Sequence, residues 1–279
     1  MLSPETIREI QALTVASKAE DVKTDFPFII LPEGQGKASI NRLEDFQKLR
    51  NRFRGTYRTN SMPDFVRYVT DRKGSPRGFI DAEKIDALSC SVLFNLGDEK
   101  APGHADDIAI LKPKALAAFT AVQKINGQKL TQQQCIDWIE DWSHVLTASG
   151  TDGAYMSMAA AVSGIRHMKL VQKGERKSSV DNMAASRSAM EEIEAKSETT
   201  MPCYLTVRTE PFDRFKPRSF LLRVGVLTGS NDGGITLVLR WQQQEHQCEE
   251  IAQEFKELLV SELGGLSDSL VVGTFDAGK

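Results

Sequence analysis

Three segments in the last third of the chain, CYLTVRT, RSFLLRVGVL and GITLVLRW, constrain the fold more than any other feature. Each alternates apolar and polar residues. Successive side chains of a strand point to opposite faces, so each segment has one apolar face to bury. The stretch TGSNDGG between the second and third supplies hairpin-turn residues, which sets these strands antiparallel. Directly afterwards, Gln242 to Leu263 reads as a helix with Cys248, Ile251, Phe255, Leu258 and Leu259 on its inward face. Three antiparallel strands closed by an amphipathic helix define an α+β ending. A chain of 279 residues that is 41% hydrophobic can bury such a core, which argues against wholesale disorder, collagen or a bare coiled coil. No run approaches the ~20 apolar residues of a membrane span. The nearest, Tyr155 to Ile165, is short and interrupted by Gly164. Glu5 and Glu9 stand where a secretory signal needs an apolar run, so a cytoplasmic protein is expected.

Upstream, residues 1–25 read as an N-terminal helix and charged linker. Ser3 is placed to cap it, Pro4 takes the first helical position, and Ile7, Ile10 and Leu13 form a thin apolar stripe. FPFIIL (Phe26 to Leu31) is a short strand signal closed by Pro32 and the glycines of PEGQG, and a helix is expected around Arg42 to Arg52. Met62 to Arg72 reads as a helix capped by Ser61, with Phe65, Val66 and Val69 as its apolar face. GFID, DALSCSVLFNL and DIAIL are expected strands. Helices follow over Lys114 to Ile125 and from Thr131, where Gln134 completes a capping box. Cys135, Trp138, Ile139, Trp142, Val145 and Leu146 recur at helical spacing on the second. Further helices are expected over Ala154 to Val162 and Val180 to Lys196, joined by a basic connection. The expected plan is one α+β domain over 26–263 with a helical middle, a sub-boundary near 147–153, and a partly ordered tail over 264–279.

The stretch FRGTYRTNSMPDFVRYV, the strand pair around LSCSVLFNLGDEKAPGHADDIAIL and the IDWIEDW helix, in that order before the C-terminal strands and helix, resemble the YfdQ-like proteins of bacteriophages and prophages. That is a domain of unknown function. The resemblance implies a setting in the cytoplasm of a bacterial host cell, among genes for DNA metabolism and host takeover. It brings no set of catalytic residues.

Charge is unevenly spread. Arg42 to Arg77 holds ten basic and four acidic residues, a local +6, so the rest carries −9 to reach the total of −3. Within the window Arg50, Arg52, Arg54 and Arg58 alternate with Phe53 and Tyr57, and Arg67 precedes Tyr68. Guanidinium groups neutralise phosphates and aromatic faces accept unstacked bases, which is what single-stranded nucleic acid requires. The same residues also suit a solvated, salt-bridged face with Tyr57 and Phe65 in the core.

Other motifs point nowhere as specific. PEGQGKAS lacks the first glycine and the terminal Ser or Thr of a phosphate loop, because Leu31 and Ala38 hold those positions. His104, Asp106 and Asp107 in GHADD bring imidazole and carboxylates together, a weak metal signal, since an Asp-rich turn is commonplace. An acidic-x-Lys triplet, as used by metal-dependent nucleases, recurs at Asp98, Glu175, Glu194 and Glu254, too often to inform. The four cysteines, Cys90, Cys135, Cys203 and Cys248, lie 45, 68 and 45 residues apart, without zinc-site spacing, and read as buried thiols. Trp138 and Trp142, one helical turn apart, read as core or interface anchors.

The expectation is a non-enzymatic phage accessory protein without cofactor or metal, binding single-stranded nucleic acid through Arg50, Arg52, Arg54, Tyr57, Arg58, Arg67 and Tyr68. A protein-binding counter-defence factor that inhibits a host immune component through the acidic surface is the alternative, and a metal-dependent nuclease the third. A homo-oligomer is expected, with Ile7, Ile10 and Leu13 at its interface.

Overall fold

The computed structural model describes residues 3–20, 28–33, 37–42, 44, 47–72, 74–168, 201–227 and 235–276. The expected helix over Val180 to Lys196 and the turn TGSNDGG lie outside the described residues. The chain divides into two compact units, Met1–Thr56 and Tyr57–Lys279.

In the first unit, α1 (Pro4–Glu20) starts where the Ser3 hydroxyl accepts the Thr6 N–H at 3.2 Å. Strands β1 (Phe28–Glu33) and β2 (Lys37–Arg42) form an antiparallel hairpin closed at Glu33↔Lys37. A phosphate loop feeds a helix, whereas here Lys37 opens a strand. The helix expected over Arg42 to Arg52 is a correction. Arg42 ends β2, and residues 47–54 are bends and irregular chain. The reason is a carboxylate: Glu44, 6% exposed, gathers the Asn51 backbone N–H and the Arg54 guanidinium around itself, replacing a helical ladder.

The second unit opens with the end of β3 (Gly55–Thr59), followed by α2 (Met62–Thr70). Ser61 caps α2 through the Asp64 N–H, a device that stabilises by about 1 kcal/mol, and Met62, Phe65 and Val69 are buried. Next come β4 (Arg77–Asp81), β5 (Ser89–Leu93) and β6 (Asp107–Leu111). Helix α3 (Ala117–Ile125), β7 (Lys129–Thr131) and α4 (Gln132–Asp141) lead to β8 (Leu146–Ser149), β9 (Tyr155–Met156) and α5 (Met158–Arg166). The last part holds β10 (Tyr204–Thr209), β11 (Arg218–Leu227), β12 (Thr236–Trp241), α6 (Gln244–Glu262) and β13 (Leu270–Val272).

The three alternating segments form the centre of a six-stranded antiparallel sheet of order β7-β12-β11-β10-β8-β9. Phe220, Leu222, Val224 and Val226 of β11 are buried while the residues between them are not, as the alternation requires. Phe119 of α3 reaches this sheet, 5.0 Å from the Phe220 ring and edge-on to Trp241 at 5.9 Å. Helix α6 buries Ile251, Phe255 and Leu259 and is tied to β11 by Arg218, which meets Glu250 at 2.6 Å and Glu254 at 2.9 Å. The second sheet has the order β13-β4-β5-β6-β3 and is mostly antiparallel. Its exception is β13, parallel to β4, which approaches so closely that a Cβ at Gly78 would lie 2.3 Å from Leu270. The fold is therefore α+β.

Thr131 and Gln134 form the expected capping box. Two boundaries are corrected. α4 ends at Asp141, and Leu146 belongs to β8 because its backbone pairs with β10. α5 starts at Met158, where the Ser157 hydroxyl accepts the Ala160 N–H, while Tyr155 and Met156 pair with β8.

Candidate nucleic-acid interface

Within the first unit, the arginine segment begins on the loop around Glu44. Arg54 grips both carboxylate oxygens of Glu44, one at 2.8 Å, and the Asn51 N–H reaches Oε1 at 3.2 Å. The Arg54 bond, outweighing the desolvation, and then the Asn51 N–H lower the Glu44 carboxyl from its ordinary value to about 2. Arg54 thus holds the loop together, and its side chain is 27% exposed. Lys48 and Arg50 are exposed and form no ion pair among the described residues, and Phe53 is 64% exposed. Arg52 is half-buried.

In the second unit the aromatics pack on one another. Tyr57 of β3 stacks on Tyr68 of α2 with centroids 4.3 Å apart, and Tyr68 meets Phe94 edge-on at 6.0 Å. The Arg72 guanidinium sits 4.6 Å from the Phe94 centroid and 5.3 Å from that of Tyr68, and pairs with the buried Asp107 carboxylate. A cation laid on two rings and neutralised by a carboxylate fixes those rings in place. Asn95 braces the strand carrying Asp107 by accepting the N–H groups of Asp106 and Asp107, each at 3.1 Å. Both tyrosines are half-buried against the core. Arg58 and Arg77 are exposed and form no ion pair among the described residues, while Arg67 is exposed and meets Asp64 at 2.8 Å.

The carboxylates flagged as metal or nuclease candidates have other partners. Asp106 takes the Asn95 amide at 2.9 Å, and Asp107 takes Arg72. Asp98 accepts the N–H groups of Lys100 and Ala101 in its turn, and Glu254 accepts the Lys216 N–H at 2.7 Å. His104 is exposed, and the triplets at Glu175 and Glu194 lie outside the described residues. Among the described residues no three His, Cys, Asp or Glu side chains are grouped to hold a metal. Cys90, Cys135 and Cys203 are buried free thiols, and burial pushes Cys90 and Cys135 up to about 12.

Sequence reasoning missed two arrangements. One is the Arg72–Asp107 brace, whose partners lie 35 residues apart. The other is an open groove beside α3 and α4 that is lined by Trp138, Trp142, Lys114 and Lys124. The pairing of two tryptophans at helical spacing was its sole local signal.

Two mostly antiparallel sheets with helices make this an α+β protein. The chain belongs to the family described as an uncharacterized conserved protein family (DUF2303), whose model matches residues 3–275. No curated protein and no solved structure matches it. No helix among the described residues is long and apolar enough to cross a membrane.

Proposed function

We propose that this protein binds single-stranded nucleic acid through the segment from Arg50 to Tyr68, as a non-enzymatic accessory protein of phage or prophage origin acting in the bacterial cytoplasm. The observation that carries the reading is the state of the cations. Arg50 and Arg58 flank the exposed Phe53 in sequence, are themselves exposed, and form no ion pair among the described residues; the Arg50 charge acts on Glu44 only through space, as the weakest of the influences that lower its carboxyl. Unpaired guanidinium groups are available to phosphates without first breaking an ion pair. Arg54 has a different task, since it neutralises Glu44, and the Tyr57–Tyr68 stack serves as a rigid base for Arg58 and Arg67.

The test compares Arg50→Ala/Arg58→Ala with the parent on a labelled single-stranded oligonucleotide. The double variant is expected to bind roughly tenfold more weakly at low salt with an unchanged melting temperature. Parent-like affinity would remove the segment from the binding account. Homo-oligomerisation belongs to the same proposal. Ile7, Ile10 and Leu13 are 45%, 49% and 69% exposed on α1, a stripe that a second copy would cover. Light scattering on the full chain that reports a monomer overturns that part.

A further inference from the structure

Lys114, the start of α3 and one face of α4 border a groove of about 620 Å3, within the size range of small-molecule sites. Its floor is apolar and includes both Trp138 and Trp142, each half-buried. The charged residues lining it are Lys114 and Lys124. Both are exposed, neither has an ion-pair partner among the described residues, and no carboxylate shares the lining. Thr120 and Gln128 add a hydroxyl and an amide.

The third tryptophan shows what a satisfied indole looks like in this fold. Trp241 is buried, and its N–H donates to Gln247 at 2.7 Å. Among the described residues the indole N–H groups of Trp138 and Trp142, the Thr120 hydroxyl and the Gln128 amide have no hydrogen-bond partner. A floor of indole rings favours a flat aromatic ligand, and two unopposed ammonium groups favour an anion. A nucleotide combines both properties in one molecule.

We propose that this groove is a nucleotide-binding site in which the base lies on the Trp138 and Trp142 surface, Thr120 and Gln128 meet its polar edge, and Lys114 and Lys124 hold the phosphate. The proposal stands apart from the arginine segment. The base–phosphate unit comes either from a free nucleotide or from a strand. Leu116 also lines an adjoining groove of about 630 Å3 that holds His144 and Arg208 with one carboxylate, Glu210, and this gives a strand room to continue.

Two of the three tryptophans line the groove and the third is buried, so intrinsic fluorescence of the full chain reads the site. AMP is expected to quench it saturably, and inorganic phosphate is expected not to. Lys114→Ala/Lys124→Ala, which alters two exposed side chains, should weaken AMP binding by about tenfold while leaving the melting curve unchanged. A short single-stranded oligodeoxyadenylate that binds more tightly than AMP assigns the groove to a strand, and equal affinity assigns it to the free nucleotide. Arg50→Ala/Arg58→Ala should keep the full AMP response, which separates this site from the arginine segment. The absence of saturable quenching by AMP and by the oligonucleotide at millimolar concentration overturns the proposal, as does parent-like AMP affinity in the lysine variant.

Discussion

The loop around Glu44 and the ring cluster around Asp107 use arginine in the same way, in different surroundings. In the first, Arg54 neutralises a carboxylate that also holds a backbone N–H, and the neighbouring Arg50 is left exposed. In the second, Arg72 neutralises a carboxylate from within an aromatic stack, and Arg58 is left exposed. Each region therefore spends one arginine on its own architecture and displays another. A basic stretch is not a uniform binding surface, and its members divide by whether a carboxylate lies within reach.

The comparison breaks first at Asp107. Asp107→Ala leaves the Arg72 cation against Tyr68 and Phe94 without its counter-charge, and the expected loss is about 3 kcal/mol in urea unfolding. A loss under about 1 kcal/mol would mean the rings alone hold Arg72.

The Glu44 loop answers to pH. Its carboxyl has a folded value of about 2 against an ordinary 4.5, so the stabilisation is full above the ordinary value and is lost as pH falls toward about 2. Glu44→Gln should flatten the acid limb of stability between those values, measured by thermal melting across the range. An unchanged acid limb would detach Arg54 from Glu44. Arg67→Ala should do least. Its pair with Asp64 is exposed on both sides, and stability should shift by less than about 0.5 kcal/mol in the same melts.

Local signals were legible and tertiary ones were not. Ser61 and Thr131 announced α2 and α4 because a cap is satisfied within three residues. The alternation in β10 and β11 was legible because one face of that sheet is buried, whereas in β12 the consecutive Leu237, Val238 and Leu239 are all buried. By contrast, β7 and β13 are three residues each, too short to carry a period, and β13 finds β4 from far along the chain. Leu146 was misread as helical because the first apolar residue of β8 falls in step with α4. At the candidate site, the residue types were evident from Arg50 to Tyr68. That Tyr57 would lie on Tyr68, or that Arg54 would be claimed by Glu44, depends on contacts made only on folding.

The central claim is that displayed arginines bind the phosphates of a single strand, and the salt dependence of that binding tests it most directly. Anisotropy of a labelled single-stranded oligonucleotide, titrated with the full chain at several salt concentrations, should give a linear fall of log affinity with log salt. The slope should drop by about 0.7 for each phosphate contact removed with Arg50 or Arg58. Binding that is absent at low salt, or that is insensitive to salt, would contradict the account.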